Sequence, residues 1–218
     1  AFYLCIWLWP GFESELAKSI YIPELLEIVN VTLSEVYLRH PKSELGFIAI
    51  TLLQKMSTCR ELSLAFNIKM KNSVNLKLVP LIVGNYCDLI LSNLLKILED
   101  SISNDCSFYI KNIIATIRNI GVFPRCLCSG VATMFTDLLN LAKCPEQLCK
   151  RIENLVIFCE IIEAVEQIFV ISFGTASGFI YECIRKMDDI LSIEGLQTRK
   201  SHLFMNNDDF RELRKADS

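Results

Sequence analysis

Cys126 and Cys128 are one residue apart in the stretch GVFPRCLCSG, and Cys144 and Cys149 follow. Thiols in this density are the residue type that holds zinc. Zinc takes four ligands converging tetrahedrally, usually from two tight Cys or Cys–His pairs. Here the order is C-x-C, fifteen residues, Cys144, four residues, Cys149, a loose version of a zinc-ribbon spacing. The competing reading makes the same thiols small apolar side chains of a helical core. The first pair falls between two helical segments. Cys149 extends a series with Ile152, Val156 and Cys159, a spacing that predicts a core stripe. The expectation is therefore core thiols, with no metal and no cofactor.

Other residues able to do chemistry are sparse. His40 and His202 lie in predicted turns far apart, with no Cys or carboxylate at a metal-binding spacing. No GxSxG, Walker loop, GxGxxG or HExxH is present. Glu160, Glu163 and Glu166 recur every three residues, so they line one side of a helix. Such a ladder can supply acid and base groups, but it is more often the solvated edge of a helix. No catalytic residue is assigned, and a non-enzymatic protein is expected.

Composition points the same way. The 218 residues carry a formal net charge of −3, with 52% hydrophobic and 22% charged residues. Mean hydropathy is +0.37 and the sequence pI is about 5.5. Nucleic-acid binders show a basic stripe. The densest basic clusters here, TRK at 198–200 and RELRK at 211–215, fall near the C-terminal end. Neither nucleic acid nor a small-molecule substrate is expected as a ligand. The most apolar long stretch, 155–173, contains the three glutamates and reads as an amphipathic helix with a wet edge rather than a membrane span. Ten cysteines scattered through apolar segments indicate free, buried thiols in a reducing compartment. The chain opens on AFYLCIWLWPGF without an initiator methionine and reads as a piece of a longer protein.

The elements that must position these residues are helical almost throughout. Residues 23–39 place Leu26, Val29, Leu33, Val36 and Tyr37 on one side, with Pro23 suited to a first helical turn. Residues 43–57 form a second helix with Ser43 as its N-cap. Residues 86–100 carry Leu91, Leu94, Leu95 and Leu98, with Asp88 in the first turn. Ile110, Ile113, Ile114 and Ile117 share a face of the next helix, and Ser129 is the expected N-cap of another. Further helices are predicted over 145–171 and 177–191. Residues 67–85 read as a loop between helical layers with an extended piece. No segment alternates as a strand does. The helices come in pairs of about 40 residues, near the length of HEAT or armadillo units. The predicted fold is all-α: an α-solenoid of stacked antiparallel helix pairs. It forms one helical-repeat domain over 1–200, followed by a polar tail at 201–218.

The segments LLQKMSTCRELSLAFN (52–67) and VPLIVGNYCDLILSNLLKIL (79–98) resemble the later helical region of the high-temperature-induced dauer-formation protein family, which is related to dymeclin. In the same order, IIATIRNIGVFPRCLCSGVATMFTDLL (113–139), ENLVIFCEIIEAVEQIF (153–169) and SGFIYECIRKMDDILSIEGL (177–196) are similar to its following blocks. The resemblance covers residues 4–200. Cys87 before Asp88, Ser177 or Gly178 ahead of the tyrosine motif, and the Cys126–Cys128 pair depart from the family pattern.

Gly84, Asp88, Tyr181, Arg185 and Lys186 fall on its motif positions, where structural roles are expected. These are a positive-φ turn at Gly84, a helix start complemented by Asp88, and a shared face for Tyr181 and Arg185. The resemblance implies a helical scaffold of a peripheral Golgi protein on the cytosolic face. Such a protein acts with other trafficking proteins in trans-Golgi sorting and biogenesis of dense-core secretory vesicles. An N-terminal myristoyl anchor, outside this stretch, would hold it to the Golgi membrane. The alternative is a generic solenoid adaptor outside the Golgi.

Overall fold

A computed structural model describes residues 11–39, 44–70, 84–103, 109–123, 127–142, 152–171, 181, 184 and 185. It is all-helical, with no strand among the described residues. The helices are α1 (Phe12–Ala17), α2 (Ile22–Arg39), α3 (Glu44–Thr58), α4 (Arg60–Ala65), α5 (Tyr86–Ser103), α6 (Ile110–Gly121), α7 (Ser129–Ala142) and α8 (Ile152–Ile171). Residues 181, 184 and 185 are helical as well. Two helices escaped the sequence reading. α1 and α4 span six residues each, too short to display a periodic stripe.

The apolar spacing explains the long helices. Leu26, Val29 and Leu33 of α2 are buried, as are Leu91, Leu94, Leu95 and Leu98 of α5 and the five isoleucines of α6. From Tyr86 to Leu95 the burial of α5 extends all round the helix, taking in Asp88, Ser92 and Asn93, and Ser101 is buried further on. A helix enclosed on all sides must satisfy its polar groups internally. Ser92 and Ser101 return their hydroxyls to the carbonyls of Asp88 and Ile97, each at 2.7 Å. Asn93 donates to Asn30 Oδ1 on α2 at 3.0 Å, and Asn30 donates to the Leu26 carbonyl at 2.8 Å.

Contacts between the long helices form a ladder. One column runs α2, α5, α7 and the other α3, α6, α8, and the rungs are α2 with α3, α5 with α6, and α7 with α8. α1 and α4 pack on each other, α4 also on α3. Polar pairs sit on several of these contacts. Tyr86 donates to Glu27 (2.8 Å) between α5 and α2, and Asn112 to Gln54 (2.8 Å) between α6 and α3. Asn119 donates to Ser57 Oγ at 3.1 Å across the same α3–α6 seam. At the α6–α8 contact, a Cβ on Gly121 would overlap the Ile168 side chain, so glycine sets how closely these two helices approach.

The stripe expected on α8 is reversed. Val156 and Cys159 are exposed, and the buried face carries Ile157, Phe158, Ile161, Ala164 and Ile168. The helix is apolar on nearly every side, so spacing alone admits two stripes. Position relative to the glutamates decides between them. Val156 and Glu160, like Cys159 and Glu163, are four apart and share a face. Glu163 and Glu166 are exposed, and that solvated edge carries Val156 and Cys159 outward with it. Cys149 lies outside the described residues.

The loop expected over 67–85 is extended at both described ends. Lys69 and Asn85 form an isolated antiparallel bridge. Met70 N–H donates to Gly84 O (3.3 Å), Tyr86 N–H to Ile68 O (3.1 Å) and Cys87 N–H to Phe66 O (2.7 Å). The first amides of α5, which have no partner within the helix, thereby find acceptors in the chain leaving α4.

Candidate functional site

Residues singled out in the sequence converge at one place, the start of α5. Asn85 precedes the helix, and its side-chain oxygen accepts the Asp88 N–H at 2.9 Å. Asp88 Oδ2 reaches back to the Asn85 N–H at 3.4 Å. This reciprocal pair is a capping box with Asn and Asp in place of the usual Ser/Thr and Glu/Gln. Asp88 is thus the returning member of the box and Asn85 is the cap. The N-x-x-D spacing at 85–88 was the available signal.

The other oxygen of the same carboxylate leaves the helix. Asp88 Oδ1 accepts the Cys128 N–H at 3.0 Å, a contact spanning 40 residues. Cys128, the second thiol of the C-x-C pair, stands immediately before α7. Its carbonyl accepts the Ala132 N–H at 3.2 Å, which makes Cys128, rather than Ser129, the residue at the N-cap. Ser129 instead accepts at its carbonyl from the Thr133 hydroxyl at 3.0 Å. The expectation for Gly84 is also corrected. Among the described residues the positive-φ glycine is Gly11, at φ 83°. Gly84 is required because a Cβ there would overlap Asp88 Oδ2. A missing side chain, rather than an unusual backbone angle, opens the space into which the carboxylate folds.

Electrostatics at this junction disfavour thiolate chemistry. A cysteine at a helix N-terminus ordinarily has its pKa lowered. Burial pushes the Cys128 thiol up instead, and the Asp88 charge adds to it, against the opposing N–H groups of Val131 and Gly130. Cys87 is driven up by complete burial and by the same carboxylate. Asp88 itself is 2% exposed. Burial raises its pKa above the ordinary carboxylate value, and the N–H groups of Cys128 and Asn85 and the Cys128 thiol only partly oppose this. What the group can do is join two helix starts.

The remaining expected positions lie elsewhere. Tyr181 and Arg185 are exposed, and Lys186 lies outside the described residues, as do His40, His202, Cys126 and Cys144. Of the four described cysteines only Cys87 is buried. Cys59 and Cys128 are partly exposed and Cys159 is exposed, so the buried-thiol expectation holds for one of the four. Glu163 pairs with Arg118 of α6 at 3.5 Å on the surface. No group of three or more His, Cys, Asp or Glu among the described residues is placed to hold a metal. A cavity where α5, α6, α7 and α8 meet, lined by Leu98, Ile114, Phe135 and Ile161 among others, has no room for a water molecule. No helix among the described residues is long and apolar enough to cross a membrane.

No protein-family model, curated protein or solved structure matches this chain.

Proposed function

We propose that the chain is a non-catalytic scaffold of the HEAT/armadillo-like α-solenoid type, built of stacked antiparallel helix pairs, and that it presents surfaces to other proteins. The observation that carries this reading is the ladder of two columns and three rungs. In such a stack each pair buries its apolar faces against the next, and the long outer surfaces remain for partners.

The residue motifs resembling the dauer-formation family extend the proposal. The whole protein works on the cytosolic face of the Golgi, in trans-Golgi sorting and the making of dense-core secretory vesicles. It engages other trafficking proteins there, and a lipid anchor outside this stretch supplies part of its hold on the membrane. One acyl chain gives only marginal binding, so a protein contact made by the helical scaffold supplies the rest.

Imaging and fractionation of the full-length protein against a trans-Golgi marker, with secretory cargo followed after its removal, tests this. Co-localisation and mis-sorted cargo are expected, while the 218-residue stretch alone should bind Golgi membranes weakly. A nuclear or lumenal protein, or normal cargo after its loss, sinks the Golgi assignment. A cytosolic protein with stable partners and no Golgi association would favour the generic adaptor.

A further inference from the structure

The outward side of α8 carries a repeating stripe. Val156, Cys159, Glu163, Glu166 and Val170 are spaced three, four, three and four apart, the spacing by which one helix presents a seam to another. All five are exposed, Val156 to 48% and Val170 to 70%. Ile162 (37%) lies beside Cys159 and Glu166, three and four positions away. α8 packs on α6 and α7 through its opposite side, where Ile161 and Ile168 are buried. Large apolar residues aligned this way differ from the singly scattered ones normal on a surface.

The charges on the seam select what can lie along it. Glu163 and Glu166 hold its centre, and partly exposed Glu160 flanks them. Glu163 meets Arg118 at 3.5 Å, but its side chain is 58% exposed, and a pair this open leaves the carboxylate available to a further partner. A second α8 is disfavoured. Laid parallel in register, it sets Glu163 and Glu166 against themselves. Laid antiparallel about Glu163, the midpoint of the stripe, it sets Glu163 against Glu163 and Glu166 against Glu160. Like charges brought together suppress a pairing. An anionic lipid surface is repelled in the same way. Basic residues at the centre of an apolar-striped helix are attracted instead.

We infer that the outer face of α8 receives an amphipathic helix from another protein. That helix carries apolar residues at the ends of its stripe and two basic residues, three apart, at its centre. The seam from Val156 to Val170 is about 21 Å long, so about four turns of partner helix cover it. The inference rests on the scaffold reading above and adds to it the kind of partner.

Fluorescein-labelled helical peptides test it by anisotropy with the full chain. One peptide has Leu, Leu, Lys, Lys and Leu at the spacing of the seam in an Ala and Gln background, and the other has Glu for both Lys. The Lys peptide should bind, and the Glu peptide about tenfold more weakly, the effect of two exposed charge pairs turned from attraction to repulsion. Glu163→Lys with Glu166→Lys should reverse the preference at unchanged helical circular dichroism. Glu163→Gln with Glu166→Gln should abolish it. Glu44→Lys with Glu99→Lys, the same change of charge at exposed sites of α3 and α5, should leave the order intact. The inference is overturned if the wild-type chain binds neither peptide or both alike, or if the preference ignores Glu163 and Glu166. A dimer dissociated by Val156→Glu with Val170→Glu would assign the face to a second copy. Attachment to phosphatidylcholine vesicles lost in that variant would assign it to a membrane. Either result also overturns it. The Golgi imaging is read independently of the peptides, so failure here leaves the scaffold reading standing.

Discussion

Asp88 shows how one carboxylate couples two parts of the chain and sets a pH dependence opposite to the common one. Most structural carboxylates have depressed pKa values and lose their contribution in acid. Burial raises that of Asp88 above its ordinary 3.8. The folded state therefore holds the proton at a pH where the unfolded chain has released it. Stability contributed by this group declines as pH rises from 3.8 through the folded-state pKa, and is level above it. Denaturant titrations of wild type and Asp88→Asn across this range should show the wild type losing ground to the variant as pH rises. A difference that moves the other way means the amide donors outweigh burial.

Gly84 gives a steric counterpart. Gly84→Ala places a methyl in the space of Asp88 Oδ2. It should cost about 1–3 kcal/mol, the range for forced overpacking, read from the midpoint of chemical unfolding. A neutral effect would mean that the carboxylate has another position open to it. Sequence marked Gly84, Asp88 and Cys128 as notable but not as neighbours. Asn85 went unnoticed because its box uses Asn and Asp, and the link from Asp88 to Cys128 spans 40 residues without any periodic signature.

Among the elements, legibility followed the contrast between faces. α6 alternates isoleucines with Lys111, Asn112, Arg118 and Asn119, so its buried side was plain in the sequence. α7 was expected to be capped by Ser129; the helix includes Ser129 as its first residue, with Cys128 at the cap position. α8 failed the same test because apolar residues occur on both sides. Only the exposed glutamate edge, taken together with the residues four positions away, identifies which stripe is internal.

The seat of α8 on α6 depends on Gly121, whose hypothetical Cβ meets Ile168. Gly121→Ala should destabilise by about 1–3 kcal/mol, and Ile168→Ala alone by about 2–5 kcal/mol. In the double variant the new methyl enters the space vacated by Ile168. The combined loss should fall short of the sum, by an amount within the roughly 0.5–3 kcal/mol range of coupled neighbours. Strict additivity in a double-mutant cycle would show that the two side chains do not share that space.

For the whole molecule, the ladder predicts where stability is concentrated. In a stacked array each unit leans on its neighbours, and an outer rung has fewer of them. Among the described helices, central α5 packs on α2, α6 and α7, while α2 at the end of its column packs on α3 and α5. Amide exchange under native conditions should be slowest in α5 and α6 and faster in α2 and α8, since local opening starts where packing is thinnest. Slower exchange in α2 than in α5 would contradict the ladder as the organising contact pattern. The all-helical class was open to sequence because every long apolar segment has helical spacing. The division into columns was not, because it is set by which face meets which, and that is decided by contacts such as Asn30 with Asn93, 63 residues apart.

The bond from Asp88 to the Cys128 amide also imposes an order of events during synthesis. Forty residues separate the two partners. At translation speeds of about 5–20 residues per second, roughly 2–8 s pass between making one and making the other. Throughout that interval the newborn α5 carries a buried-type carboxylate whose second acceptor site is still facing water, and its beginning is only half fastened. Nascent chains stalled before and after Cys128 should then differ in protease resistance at residues 84–90, the longer one alone being protected. Equal protection in both would show that the capping box suffices by itself. The ribosome thus holds this scaffold open at its centre until the next helix has been supplied.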